Sequence, residues 1–161
     1  MLILFYSFLF TIAIILQLKV VPLFSIRETT PDLGVIVVIL VSMRRGKIHG
    51  VGCGFVAGLV FDFFGSGFLG VSSLAKSTSA FVAGTWSNEH MQRRLGVAVG
   101  QLFVTILVHD VLYFSILTIG TSLGLGHTFF TRVLPQTCYT LVFMAIILLT
   151  FPKMVWGRRR D

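Results

Sequence analysis

Three charged residues lie inside long apolar runs of the sequence: Asp62, Lys76 and Asp110. A charge at the centre of a bilayer costs roughly 2.5–3.5 kcal/mol, so such residues are usually paired or functional. Asp62 precedes a glycine-rich turn and Lys76 follows it, so in a helical hairpin the two would lie at similar depths. We therefore predict an Asp62–Lys76 ion pair, with Asp110 in the same intramembrane charged layer. Asp32 and Arg132 are expected above this layer, at helix ends. His109 adjoins Asp110 but is predicted to point about 100° away around the helix.

This charged layer has three possible uses. It could be a buried polar cluster that fixes how the helices pack, a substrate or proton pathway, or a site that binds a partner. Serines around Lys76 could include a nucleophile, but hydroxyl groups in membrane helices more often bond to the backbone or across helices. The sequence contains no nucleophile elbow, no phosphate-binding loop and no zinc-site pattern among its four histidines. We therefore predict a protein that is not an enzyme and that uses no cofactor and no metal.

Glycines recur at every fourth position in the middle of the chain. Gly46, Gly50, Gly54 and Gly58 are followed at the same interval by Asp62. Residues four apart share one face of a helix, and glycine on that face lets another helix approach closely. These five residues, which we call the glycine ridge, indicate either helix packing inside the protein or a face that docks another protein's helix.

The elements that carry these residues must lie mostly in lipid. Of the 161 residues, 55% are hydrophobic and only 12% are charged, and the mean hydropathy is +0.93. Soluble domains carry about 25% charged residues, so the composition argues against a soluble enzyme. The net charge of +7 comes from basic clusters between apolar runs. This pattern is typical of membrane orientation signals and not of nucleic-acid binding.

We predict an all-α, polytopic membrane bundle of about six transmembrane helices in a single domain, since each span needs about 20 residues to cross a ~30 Å hydrocarbon core. The first apolar run lacks a basic leader and a small-residue cleavage site, so we expect a retained span. Before the second run, Thr30 is the expected helix cap, with Pro31 in the first turn and Asp32 near the positive end of the helix dipole. The predicted spans are about 2–18, 33–43, 48–64, 71–86, 95–120 and 131–151.

The basic residues predict the orientation of the bundle. With both termini in the cytoplasm, nine of the 13 Lys and Arg residues lie inside and three outside, in agreement with the positive-inside rule. The inner residues could contact anionic lipid or a cytoplasmic partner, or they could act only as topology signals. The predicted cytoplasmic basic clusters comprise Arg44, Arg45, Lys47, Arg93, Arg94, Arg158, Arg159 and Arg160.

A series of short motifs fills the segment 31–70. They are Pro31-Asp32-Leu33, Arg44-Arg45-Gly46, the Gly-Phe-x-x-Gly-x-x-x-Asp stretch at 54–62, and the Gly-Ser-Gly-Phe-Leu-Gly turn at 65–70. This series resembles the MreD family of rod shape-determining proteins, and length, span number and basic tail agree over nearly the whole chain. Two features depart from the family pattern: Phe68 stands where proline is common, and the segment around Lys76 is unusually polar.

The resemblance implies a non-enzymatic membrane scaffold of the bacterial cell-elongation machinery, which regulates cell shape and lateral peptidoglycan synthesis. It places the chain in the bacterial cytoplasmic (inner) membrane, in direct contact with MreC and, through the complex, with MreB, RodA and a class-B penicillin-binding transpeptidase. It also implies a six-helix fold like the substrate-binding subunits of energy-coupling-factor transporters. The alternative function, for a chain of this size, is a transporter subunit that binds a small, vitamin-like molecule.

Overall fold

The chain folds as a bundle of helices, seen in a computed structural model that describes residues 12, 15–17, 19, 25, 29–65, 68–86, 95–119 and 125–150. Every multi-residue element of secondary structure in these ranges is helical, which confirms the predicted all-α fold class. In chain order the elements are α1 (Leu33–Arg45), α2 (Lys47–Phe64), α3 (Val71–Thr85), α4 (Leu95–Thr118), α5 (Leu125–Thr128), a π-helical turn (Phe129–Val133) and α6 (Leu134–Thr150).

Three helices in the described part of the chain are long and apolar enough to cross a membrane. They are Lys47–Phe64, Gly96–Thr118 and the continuous helical segment Gly126–Thr150. They overlap the predicted spans 48–64, 95–120 and 131–151. Together with the all-helical fold they confirm that the protein is a helical membrane bundle. The predicted first span, 2–18, lies mostly outside the described residues.

Two predicted spans form helices that are shorter than a bilayer is thick. The helix α1 has 13 residues and α3 has 15, so at 1.5 Å per residue they are about 20 Å and about 22 Å long, against a hydrocarbon core of ~30 Å. The number of membrane crossings therefore stays a prediction.

The helix α1 lies at the centre of the bundle. All ten residues from Gly34 to Met43 are buried, as expected for a helix that is apolar on every side. It packs against α2, α3 and α6, and its side chains share one apolar core with Ala83 of α3, Leu102 of α4 and Met144 of α6. Because α1 is enclosed, side chains at its two ends can contact several helices at once.

Asp32 caps α1, and a single glycine ends it. The Asp32 Oδ1 atom accepts a hydrogen bond from the Val35 amide at 3.0 Å, so the cap is Asp32 and the sequence prediction of Thr30 was wrong. At the other end, Gly46 alone separates α1 from α2 and has a φ of +86°, a conformation that side chains rarely adopt. The first member of the glycine ridge thus serves a turn.

Candidate functional site

Lys76 forms a buried ion pair with Asp32. The Lys76 Nζ atom donates to the Asp32 Oδ2 atom at 2.9 Å, and the two side chains are only 3% and 14% exposed. The ammonium group also lies 4.7 Å from the centre of the Phe61 ring, an attractive cation–π arrangement. The predicted Asp62–Lys76 pair was wrong, because the start of α1 lies against α3 and brings a different carboxylate within reach of the lysine.

Asp62 instead caps the neighbouring helix. Its Oδ2 atom accepts from the amides of Gly70 at 2.8 Å and Ser73 at 3.3 Å, and its Oδ1 atom accepts from Ser72 at 3.0 Å. These amides open α3, whose own cap residue, Gly70, has no side chain to bond them. The first amides of a helix lack internal partners and favour a negative charge nearby. A carboxylate from α2 therefore completes α3 and needs no lysine.

Asp110 lies in a second buried group on α4. Its Oδ2 atom accepts from the Thr137 hydroxyl of α6 at 2.7 Å, and its Oδ1 atom lies 2.9 Å from the Nδ1 atom of His109. The imidazole ring stacks on Tyr113, with the rings 8° from parallel. The Nε2 atom of His109 lies 3.9 Å from Asp32 Oδ2, so this group adjoins the Asp32–Lys76 pair.

Sequence reasoning missed His109 as a member of this group. Helix geometry separates neighbouring side chains by about 100°, yet the imidazole and the carboxylate are both long enough to close that angle. The available signal was a histidine next to an aspartate inside an apolar run. We call Asp32, Lys76, His109, Asp110 and Thr137 the polar cluster.

The start of α1 is held by further hydrogen bonds. The Asp32 amide donates to the Thr140 hydroxyl of α6 at 3.2 Å. The side chain of Gln17 donates to the Pro31 carbonyl at 3.0 Å and accepts from the Leu33 amide at 2.8 Å. The polar cluster therefore joins the start of α1 to α3, α4 and α6. Partnered polar groups of this kind specify one arrangement of helices, since any other would leave a buried group unpaired.

The electrostatics of the cluster keep Asp32 ionised. Burial alone would raise the pKa of the Asp32 carboxyl. The positive charge of Lys76, the nearby His109 and the hydrogen bonds from Lys76 and the Val35 amide outweigh burial and hold that pKa below its ordinary value. Asp32 is therefore a carboxylate at neutral pH, which the ion pair requires.

The glycine ridge lies inside the bundle. A Cβ atom at Gly50 would overlap Ser42 of α1, one at Gly54 would lie 2.8 Å from the Lys76 carbonyl oxygen, and one at Gly58 would overlap the Ser73 backbone. These contacts place the ridge against α1 and α3. The alternative use, as a face for another protein's helix, is not available in this arrangement because the face is covered.

Three of the eight predicted basic residues lie in the described part of the chain. Arg44 and Arg45, half-buried, end α1, and Lys47, exposed, begins α2, so these three gather at the opposite end of α1 from the polar cluster. Lys47 also lies 5.7 Å from the centre of the Phe81 ring. The remaining predicted basic residues lie outside the described part of the chain: Arg93, Arg94, Arg158, Arg159 and Arg160.

A pocket of about 270 Å³ opens beside α4. Most of its lining is apolar, with only two hydroxyl groups, and none of the charged residues contributes to it. A site for a vitamin-like molecule would need converging polar groups, which this pocket lacks. It is lined by Val111, Phe114, Ser115, Gly126, Thr128, Phe129 and Val133.

Three membrane-compatible helices, together with a buried polar cluster that joins α1, α3, α4 and α6, define a helical integral membrane protein. The chain belongs to the MreD family, because the family model for the rod shape-determining protein MreD matches residues 1–156. This match confirms the resemblance seen in segment 31–70, and it supports a role in rod shape determination. No match was found among curated proteins or among solved structures, so the likeness to energy-coupling-factor subunits stays a prediction.

Proposed function

We propose that this chain is a non-enzymatic membrane scaffold of the bacterial cell-elongation machinery, which acts on cell shape by regulating lateral peptidoglycan synthesis. The observation that carries the proposal is membership of the MreD family over residues 1–156. We further propose direct contact with MreC, and contact through the complex with MreB, RodA and a class-B penicillin-binding transpeptidase. The chain would lie in the cytoplasmic (inner) membrane with both termini in the cytoplasm.

The use of the buried charges supports a scaffold. Each of the three predicted intramembrane charges has a partner within the chain: Lys76 bonds to Asp32, Asp62 bonds to the amides of α3, and Asp110 bonds to Thr137. Removing one member of such a group is strongly destabilising. These residues therefore serve to hold helices in a single arrangement, as a protein that positions others requires.

The partner would contact the outside of the bundle, because the glycine ridge is covered. Several described glycines have nothing within 4 Å of an added Cβ atom, among them Gly52 on α2, and Gly96 and Gly100 on α4. A small side chain at any of them meets no described atom at its Cβ position. Each position can therefore report contact with a partner without disturbing the chain itself.

The test is co-purification of the tagged chain from bacterial membranes in mild detergent, with the recovered proteins identified by mass spectrometry. We expect MreC and elongation enzymes. Recovery of transporter ATPase subunits, or of a bound vitamin-like molecule, would overturn the proposal. Gly52→Leu and Gly100→Leu are a matched pair on different helices, and loss of MreC with one of them but not the other would show which outer surface it contacts.

The alternative, a transporter subunit that binds a small molecule, is not favoured by the family match. A ligand that binds only the folded state raises its stability in proportion to ligand excess, by about 2.7 kcal/mol at one hundred times the dissociation constant. Thermal unfolding of the purified chain with and without candidate vitamins separates the two functions, since a scaffold shows no such shift.

The basic residues at the α1–α2 turn suggest which side of the membrane they face. We place Arg44, Arg45 and Lys47 on the cytoplasmic surface, where each could gain about 1 kcal/mol from anionic lipid. The polar cluster would then lie towards the outer surface. Labelling of a cysteine introduced at Lys47 from either side of sealed vesicles tests this orientation.

A further inference from the structure

One atom of the polar cluster has no hydrogen-bond partner. The Nε2 atom of His109 is buried and unbonded among the described residues, and it lies 3.9 Å from the Oδ2 atom of Asp32. The side chain as a whole is 1% exposed. Buried polar atoms normally have a hydrogen-bond partner. Either Nε2 therefore carries a proton, or a donor to a bare Nε2 is missing.

The opposite nitrogen of the ring shows which of these applies. Nδ1 lies 2.9 Å from the carboxylate oxygen of Asp110, whose other oxygen already accepts from Thr137. An ionised carboxylate only accepts hydrogen bonds, so with Asp110 ionised the hydrogen of this contact belongs to Nδ1. In a neutral ring Nε2 would then be a bare acceptor that faces a second carboxylate, that of Asp32.

The charges around the ring point the same way. On the side of α1 the His109 ring faces Asp32, which is paired with Lys76 of α3. Within α4 the ring contacts Asp110 and stacks on Tyr113. From α6 the cluster contains only the uncharged Thr137. With a neutral imidazole the group carries two negative charges and one positive charge. An uncompensated buried charge is costly. One proton added to the imidazole makes the net charge of the group zero.

We propose that His109 is a proton-binding site, with both ring nitrogens protonated in the folded protein and a carboxylate facing each. The added proton converts two facing acceptors into a donor and an acceptor, and it makes the group electrically neutral. The stacked Tyr113 ring, 6.0 Å away between centroids, adds a favourable surface for a cationic ring. Asp32, the more exposed carboxylate at 14% against 1% for Asp110, is the side from which the proton exchanges. The proposal does not depend on the scaffold function.

The direct test keeps the cluster intact. The chain has three other histidines, His49, His90 and His127, of which His49 and His127 are exposed. The triple variant H49Q/H90Q/H127Q leaves His109 as the sole histidine, and ¹⁵N NMR of the labelled full chain in detergent reports both ring nitrogens. We expect two protonated nitrogens at pH 7. One protonated and one bare nitrogen would overturn the proposal.

Discussion

The choice of partner for Lys76 can be measured by comparing two double-mutant cycles. In the structure Lys76 Nζ lies 2.9 Å from Asp32 Oδ2, while Asp62 bonds only to amides of α3. Lys76→Met keeps the length of the side chain but leaves the Asp32 carboxylate buried without its cation. Breaking a buried pair in this way costs about 3–5 kcal/mol. Because Asp32 is partly exposed and keeps its bond from the Val35 amide, we expect about 3 kcal/mol, near the low end of that range.

The coupling energies of the two cycles distinguish the two possible partners of Lys76. Asp32→Asn together with Lys76→Met removes both charges, so the double variant loses less than the sum of the single losses, with a coupling of about 1–3 kcal/mol. Asp62→Asn together with Lys76→Met removes groups that share no hydrogen bond, so we expect their coupling to be clearly smaller than that between Asp32 and Lys76. Reversible unfolding of the full chain in mixed micelles gives all the free energies. Coupling to Asp62 with none to Asp32 would refute the assignment of the ion pair.

Three further predictions follow from the same contacts. Gly58→Ala forces α2 away from the Ser73 backbone and should cost about 1–3 kcal/mol as overpacking. Gly52→Ala has open space at its Cβ position and should be neutral or stabilising by up to about 1 kcal/mol in the same thermal unfolding assay. Equal effects of the two variants would contradict the packing of the ridge. Asp62→Asn should cost about 2 kcal/mol, since it loses at least one charge-assisted bond to the α3 amides, and amide hydrogen exchange should rise at the start of α3; unchanged exchange there would refute the capping role. The Asp32 carboxyl has a pKa below its ordinary value, so the stability that it contributes is present above about pH 4 and is lost as the pH falls through the lower folded-state pKa. Acid unfolding should show this loss of stability. A protein that becomes more stable on acidification in that range would contradict the prediction.

Much of the fold could be predicted because lipid imposes strong rules on sequence. Long apolar runs and sparse charge predicted a helical membrane bundle, and Lys47–Phe64, Gly96–Thr118 and Gly126–Thr150 are helices of sufficient length. The four-residue spacing of the glycine ridge predicted one helix face, which packs against α1 and α3. The motifs of segment 31–70 were specific enough to identify the family.

The two errors about the intramembrane charges arise because the sequence does not determine which neighbour a long side chain reaches. Asp62 and Lys76 were predicted to pair because they lie at similar distances from the turn. Asp62 instead bonds to the first amides of α3, which begins immediately after that turn. The partner of Lys76 is Asp32, 44 residues earlier in the chain. His109 was assigned to a different helix face from Asp110, although their side chains meet.

The sequence by itself determined that this protein is a helical membrane protein of the MreD family and that Asp62, Lys76 and Asp110 lie in apolar surroundings. These properties follow from local composition and spacing, which need no knowledge of neighbouring helices. Only the tertiary structure decided that α1 is enclosed, that Asp32 belongs to the polar cluster, and that Thr137 lies within reach of Asp110. A buried charge requires a partner, but which partner it finds depends on how helices distant in sequence are arranged around one another.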